Sequence, residues 1–541
     1  MLRIANGLII DPANGPSGRV GDLFIEGGKI VPPPSPDRRC EVLDATGLIV
    51  TPGAVEIHSH IAGPKVTSGR ILLPEDHYAH PVRRRRDFRS GTGRTVPSIF
   101  VTGYRYAGLG YTTVFEASVP PLKARHVHEE LADLPLVDKG CYVLMGNNYF
   151  VMKAIKTGDR GLLKELVGWL LRAAGGYAVK VVNPGGVENW KWGRGAVTLD
   201  TPVPPFEITP RDILLALVEV AEDLGLPHPV HIHANDIGRA GNVTTTLETM
   251  RALAGRRAHF AHLQFHSYDV NKKGRFRSGA ASVAEFLNEH PEFTADVGQV
   301  MFGPAATMTA DSPLEYSLYR LTGGKWGSCD LELETGSGVV PMVYRRNALV
   351  NAVQWAVGLE LLLLVNPWQM FLTTDHPNGA PFHVYPEIIR LLMDPDYRRS
   401  ELERLPAGVR RLTQLASLDR AYSLEEVVIT TRAGPARALG LKGKGHLGVG
   451  ADADVVLYRK QEDVAAMFSR PVYVFKRGRL VVREGEPVAD AEGKTLGVEF
   501  RSDYRFPSAF RQEFASYYSI SPANYPVEDD YFRLREVVVC S

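Results

Sequence analysis

The chain has 541 residues, 44% hydrophobic and 23% charged, with 62 lysines and arginines against 61 acidic residues and a formal net charge of +1. That balance gives no sign of a nucleic-acid or membrane partner, and the longest apolar run, Leu359 to Met370, is interrupted by Glu360, Asn366, Pro367 and Gln369, too short and polar to span a bilayer. Four scattered cysteines without a Cys-x-x-Cys pair argue against a thiolate zinc site or an iron–sulfur cluster. The length exceeds one ordinary domain, and no charged-then-apolar leader opens the sequence, so a cytoplasmic location is expected.

The first fifty residues read as short β-segments between turn signals: Leu2 to Ala5, Leu8 to Ile10, Asp22 to Glu26, Gly28 to Val31 and Glu41 to Asp44. The apolar stretch Gly47 to Val55 then runs into Glu56-Ile57-His58-Ser59-His60. Side chains alternate faces along a strand, so His58 and His60 project from one side and can each offer a ring nitrogen to one divalent ion. The same spacing also fits a solvent-facing accident or a hydrogen-bonded core pair. The following loop carries Arg83-Arg84-Arg85-Arg86-Asp87-Phe88-Arg89. It is either a solvated face or a surface for an acidic substrate tail or partner, with Arg84 and Arg86 as candidate contacts.

Through the middle of the chain apolar strands alternate with helical stretches. The strands are Ala54 to His58, Tyr111 to Glu116, Cys141 to Gly146, Ala178 to Val182, Val230 to His233, His259 to Phe265, Phe293 to Val300 and Met370 to Thr374. Eight such units predict an α/β fold, a (β/α)8 TIM barrel. Among the helices, Asp212 to Leu224 has Thr209 as N-cap, Pro210 at the first position and Gly225 as terminator; Leu162 to Ala174 and Val350 to Leu364 read similarly. Downstream, Asp452 to Tyr458 and a hairpin over Pro471 to Val482 repeat the β character of the first fifty residues. The expected organisation is a composite small β-sandwich from residues 1–52 and 425–490, a barrel over 53–424 and an extension over 491–541. Asp330 to Met342 and Leu496 to Ser541 carry no clear period, and no element is assigned to them.

In such a barrel chemistry sits at the C-terminal strand ends. Ligand-capable residues recur there: His58 and His60, Lys180, His231 and His233, His259, His262 and His266, and Asp375 with His376. Lys180 is either a lysine whose stem lies on apolar surface or a neutral amine that takes up carbon dioxide, giving a carbamate able to bridge two metals. The surrounding histidines favour the carbamate. His233 is the first choice of ligand on the fifth strand and His231 the alternative. On the sixth, His262 and His266 share strand parity with Gln264; His262 is preferred, with His266 as substrate contact or alternative ligand. Asp375 can cap the next turn, but beside two metals it reads as a ligand and proton shuttle.

With these residues in hand a family resemblance is evident. His58-x-His60, the strand-four lysine, histidines on strands five and six and Asp375 resemble the binuclear zinc site of the amidohydrolase superfamily, and Gly445 to Tyr458 resembles its C-terminal β-domain signature. More narrowly, His58 to Gly63, Leu73 to His77, Gly146 to Tyr149, Asn183 to Gly186, His231 to Asn242, Gln264 to Tyr268 and Thr373 to Gly379 look like the A subunit of formylmethanofuran dehydrogenase and its bacterial counterpart, the alpha subunit of the formyltransferase/hydrolase complex. The resemblance covers nearly the whole chain.

It implies two zinc ions bridged by an N6-carboxylysine at Lys180 and a hydroxide, with His58, His60, His233, His262 and Asp375 as the other ligands, and Asn183 and Asn235 as candidate substrate contacts. It implies hydrolysis of N-formylmethanofuran, or a methylofuran analogue, to formate and free amine, run reversibly in one-carbon metabolism. The implied partners are that formyl carrier and the other subunits of the complex, including a formyltransferase subunit. Glutamate-rich carrier tails would give the arginine loop a purpose. Two other readings stand beside this one: an amidohydrolase for a cyclic amide or N-acyl amino acid, and an inactive scaffold subunit, which the near-complete ligand set argues against.

Overall fold

The computed structural model describes residues 1–541 apart from Pro16, Arg86, Gly195, Ala196, Lys273, Asp330, Leu331, Glu332 and Thr335. Near the N-terminus, Leu2–Ile9 is one strand rather than two segments, because Asn6 takes a left-handed conformation (φ 63°) and absorbs a register shift between Ile4 and Gly7. It pairs antiparallel with Arg19–Glu26 and parallel with Glu41–Asp44 and Leu48–Pro52. Leu48–Pro52 pairs in turn with Val455–Arg459, placing Thr51 opposite Val456, and the hairpin Tyr473–Lys476 with Arg479–Arg483 extends the row.

The result is a nine-stranded sheet built from both ends of the chain. It curls back on itself, since the Ile30 amide donates to the Ala451 carbonyl and the Ala453 amide to the Gly28 carbonyl, each at 2.9 Å. Ile4, Ile25, Val50, Leu457 and Phe475 fill the enclosed core.

The barrel strands are β1 (Ala54–Ser59), β2 (Tyr111–Val119), β3 (Asp138–Leu144), β4 (Ala178–Val182), β5 (His231–His233), β6 (Ala258–Phe260), β7 (Phe293–Asp296) and β8 (Met370–Phe371). Each pairs in parallel with the next. A parallel bridge between Ser59 and His376, with the His60 amide 2.7 Å from the His376 carbonyl, brings the segment after β8 back to β1. Two more parallel strands, Thr495–Phe500 and Arg535–Cys540, attach to β3 through Lys139 opposite Thr495, giving the extension a place in the same sheet. Leu496 thereby joins Val55, Tyr142, Tyr177 and Phe371 in the barrel interior near the strand starts.

Helix Pro210–Asp223 begins with a capping box between Thr209 and Asp212 and stops before Gly225, whose φ is 67°. Arg160–Ala173 and Leu349–Leu364 lie within two residues of their predicted limits. Between β7 and β8 the chain makes an excursion, two antiparallel strands Gly303–Thr309 and Ser337–Tyr344 flanking helix Ser312–Thr322, in the region where sequence periodicity assigns nothing. Among the described residues no helix is long and apolar enough to cross a membrane.

Barrel and curled sheet are joined by a buried ionic network. The Lys476 ammonium donates to Asp138 Oδ2 of β3 and to Asp454 Oδ2, both at 2.7 Å, and to the Thr112 carbonyl at 3.0 Å; Lys444 bonds Asp138, Asp452 and Asp454. Removing one partner of a buried pair leaves the other charge uncompensated. Lys476→Met is therefore expected to destabilise the protein by about 3 kcal/mol, seen as a lower urea midpoint for loss of near-ultraviolet signal; an unchanged midpoint would contradict this role.

Candidate metal centre

Strand register dictates which histidines meet. Lys180 of β4 lies opposite His231 of β5, and His231 opposite His259 of β6, so these three share one layer, while His233 stands one strand period further toward the C-terminal ends. Both ring nitrogens of His231 are engaged, Nε2 2.9 Å from His58 Nδ1 and Nδ1 3.0 Å from His228 Nε2. His259 spends its nitrogens on Asp296 at 3.2 Å and Thr294 at 2.9 Å. His231 and His259 thus lie one layer beneath His233, with their ring nitrogens turned to neighbouring side chains.

His58 turns Nδ1 to Asp296 Oδ2 at 2.9 Å and Nε2 to Asp375 Oδ1 at 3.0 Å. His60 does likewise, with Nδ1 3.4 Å from Glu116 Oε1 and Nε2 3.2 Å from Asp375 Oδ1. A carboxylate behind each ring and a free nitrogen in front is how metal-binding histidines are oriented. Glu116 is anchored by the amides of Ile61 and Ala62 at 2.7 and 2.9 Å and by Lys65 at 2.6 Å. Burial works against its charge, but Lys65 draws its carboxyl down to about 2.

At the sixth position the structure corrects the parity argument. The strand stops at Phe260, His262 adopts φ 35°, and a 3-10 turn runs over Leu263–His266. The turn, rather than strand alternation, stacks His266 on His262 with ring centroids 5.3 Å apart. Gln264 points away, donating to Tyr268 and to the Gln354 carbonyl. His233 faces His262 at 4.6 Å and His266 at 5.4 Å between ring centroids.

Among the described residues four groups of ligand atoms lie close enough to share an ion: His58–His262–Asp375 and His233–His262–His266, with His262 common to both, His58–His231–Asp296 one layer below, and Asp138–Asp452–Asp454, which Lys444 already bonds. Asn183, His262 and Asp375 all hold left-handed backbone, with φ of 42°, 35° and 49°. Strain of this kind in non-glycine residues persists only where the surroundings enforce it, and it gathers at working sites.

The donor set tests whether metal fits. Lys180 Nζ, His262 Nδ1 and both ring nitrogens of His266 are buried without a hydrogen-bond partner among the described residues, while His233 Nε2 faces Asp311 Oδ2 at 3.5 Å and Asp375 Oδ1 faces the Nε2 atoms of His58 and His60 at 3.0 and 3.2 Å. Leaving that many polar atoms orphaned in one place is costly, whereas atoms arranged around a divalent ion satisfy one another through it. Burial keeps His233, His262 and His266 below the usual imidazole range, hence neutral and ligand-competent. The Lys180 amine, despite the pull of Asp296 and Asp375, is pushed by burial down to about 8. Burial likewise disfavours a charged His58, yet Asp296 lifts it to about 9, so a metal entering here displaces a proton. The residues present fit the group.

Of the candidate substrate contacts, Asn183 and Asn235 sit together at the strand ends, Asn235 Nδ2 donating to Asn183 Oδ1 at 2.8 Å. Arg84 is exposed, and Arg86 lies outside the described residues. Neighbouring Arg83, Arg85 and Arg89 line a surface cavity of about 480 Å³ with Phe88, Arg105 and Glu486. Sequence reasoning passed over Glu116, Asp296 and Asp311. The first two lay in the predicted second and seventh strands, where the test that found Asp375, a carboxylate near a strand end, would also have found them.

Asp296→Asn removes the acceptor behind His58. It is expected to weaken zinc binding by about 10- to 100-fold in chelator competition while Glu116→Gln, acting behind His60, produces a loss of the same order; zinc affinity unaltered in both would show that these carboxylates do not orient ligands.

A profile of the amidohydrolase family matches residues 41–489. Protein FwdA of Methanocaldococcus jannaschii is 43% identical over 98% of this chain and 97% of its own. The FhcA component of the formyltransferase/hydrolase complex of Methylorubrum extorquens is 40% identical over 93% of this chain and 92% of its own. The crystal structure of the FhcABCD formyltransferase/hydrolase complex from Methylorubrum extorquens with methylofuran contains a chain that matches with a TM-score of 0.93 and 38% identity, each chain covered completely. The barrel, the strand-end cluster and these matches agree: the chain belongs to the amidohydrolase family, alongside FwdA and FhcA.

Proposed function

We propose that the chain hydrolyses the formamide of an N-formylated methanofuran-type carrier, methylofuran or an analogue, to formate and free amine. It acts as the hydrolytic subunit of a complex that also contains a formyltransferase, and the reaction is reversible. The observation that carries this reading is the full-length match to a complex crystallised with methylofuran, combined with the orphaned histidine and lysine atoms at the strand ends.

His58, His60 and Asp375 would hold one zinc ion, and His233 and His262 a second, with His266 the alternative. Lys180, as its N6-carboxylate, would bridge the two. When bound, the pair supplies Lewis acidity toward a carbonyl oxygen and acidifies water at neutral pH. The remaining work belongs to the chain. A Lys180 amine lowered to about 8 keeps a minor neutral fraction at physiological pH, far larger than that of an ordinary lysine, and this fraction can form the N–C bond to carbon dioxide, releasing one proton. Asp375 Oδ2 is fixed by Asn378 Nδ2 at 2.7 Å, which leaves Oδ1 facing His58 and His60. From there it accepts a proton from the attacking water and returns it to nitrogen as the C–N bond breaks.

Asp375→Asn is expected to lower formate release by at least about 10²-fold while metal analysis still finds zinc, whereas Lys180→Ala loses most of its zinc; an active, metal-loaded Lys180→Ala protein would defeat the carbamate assignment. pH supplies a separate test. Below about 8 the neutral fraction of Lys180 falls with each unit of acidification. Apo-protein given zinc in bicarbonate buffers equilibrated to one fixed carbon dioxide pressure should recover activity about tenfold faster at pH 7.5 than at 6.5 and level off above pH 8.5. Recovery indifferent to bicarbonate contradicts it.

A further inference from the structure

Beside His233 a short chain of side chains has a definite polarity. Asn235, 1% exposed, points its Nδ2 at two acceptors, Asn183 Oδ1 at 2.8 Å and the Pro184 carbonyl at 3.1 Å. Asn183 in turn donates Nδ2 to Asp311 Oδ1 at 3.1 Å. A carboxylate is acceptor-only, so Asn183 must present its amide nitrogen to Asp311 and its oxygen to Asn235; the orientation of both amides follows from chemistry. Asn235 thereby uses both of its amide hydrogens and Asn183 turns one of its own to Asp311. Two acceptors remain: Asn235 Oδ1 is buried without a partner among the described residues, and Asp311 Oδ2 lies 3.5 Å from His233 Nε2.

Asp311 also caps helix Ser312–Thr322, but the cap engages only Oδ1, which accepts from the Leu314 amide at 3.2 Å. Capping therefore does not account for Oδ2 facing the histidine cluster. Asp311 is 2% exposed and rigidly held, its own amide bonded to Thr309 Oγ1 at 3.1 Å. It stands on the excursion between β7 and β8, brought to the rim by an element outside the eight βα units.

Two buried acceptors facing the histidine cluster, Asn235 Oδ1 and the Asp311 carboxylate, disfavour a carbonyl oxygen or an oxyanion and match an N–H or ammonium group. We propose that Asp311, with Asn235 as second acceptor and Asn183 as the link that orients them, binds the nitrogen side of the substrate: the amide N–H before cleavage and the product ammonium after it. This inference rests on the formamide reading and adds the direction in which the substrate lies, carbonyl toward the histidine clusters and nitrogen toward Asp311.

The test uses the zinc-loaded full-length chain and its Asp311→Asn variant, in which the retained Oδ1 still caps the helix while an NH2 replaces Oδ2. N-benzylformamide carries one N–H, and N-benzyl-N-methylformamide carries none. The expected result is that Asp311→Asn reduces the preference for the N–H substrate in kcat/KM about tenfold and weakens benzylammonium binding, measured by calorimetry, by a similar factor, with zinc content at the wild-type level. An unchanged preference with unchanged benzylammonium affinity, or loss of zinc from the variant, would overturn the assignment. If the wild type releases formate from neither compound, the hydrolytic reading fails separately, and the calorimetric comparison still decides this one. Should Asp311→Asn not fold, Asn235→Ala removes the other acceptor and is read by the same two measurements.

Discussion

The site depends on one buried carboxylate. Asp296 has no solvent exposure, and its oxygens are satisfied by His58 Nδ1 at 2.9 Å, His259 Nε2 at 3.2 Å, the His262 amide at 3.0 Å and Thr373 Oγ1 at 2.8 Å. An isolated carboxylate in a protein interior costs many kcal/mol, so the groups around it are obliged to point toward it. Since it only accepts, the nitrogens facing it carry hydrogen, and His58 must show its other nitrogen to Asp375. One residue of β7 thus sets the tautomer of a β1 histidine, the backbone after β6 and a threonine after β8.

The left-handed residues follow from the same crowding. His262 leaves the strand at φ 35° with its amide held by Asp296, and Asp375 turns at φ 49° with its side chain held by Asn378. Each non-glycine residue in that region is disfavoured by about 1 kcal/mol or more. Bonds from neighbouring strands offset this, fixing the backbone at His262 and the side chain of Asp375 within the cluster.

Much of this was legible in the sequence because strand alternation is local. The His58–His60 pair, Lys180 within an apolar run, and Thr209 followed by Pro210 announce themselves over three or four residues, and the structure places them on a strand end, a strand and a helix start. Reading failed where geometry departs from the period. Treating His262, Gln264 and His266 as one strand face assumed extended backbone that ends at Phe260. Glu116 and Asp296 lie in predicted strands and were within reach of the strand-end test; what sequence could not show is which histidine each supports, since that is set by contacts across strands. Asp311 lies between strand Gly303–Thr309 and helix Ser312–Thr322, neither of which sequence periodicity assigns, and its approach to His233 is a long-range contact.

The curled sheet has a consequence for how the molecule comes into being. Thr51 and Val456, neighbours across two central strands, are 405 residues apart. Closing so long a loop costs roughly 5 kcal/mol in chain entropy before any contact is made. During synthesis the strands of the first 52 residues can pair with one another at once, but the outer edge of Leu48–Pro52 emerges long before its partner Val455–Arg459 exists, and that edge stays open until the two ends of the chain are drawn together. Truncation within the late strands would leave Leu48–Pro52 as an open edge at the beginning of the chain, a template for pairing with other chains.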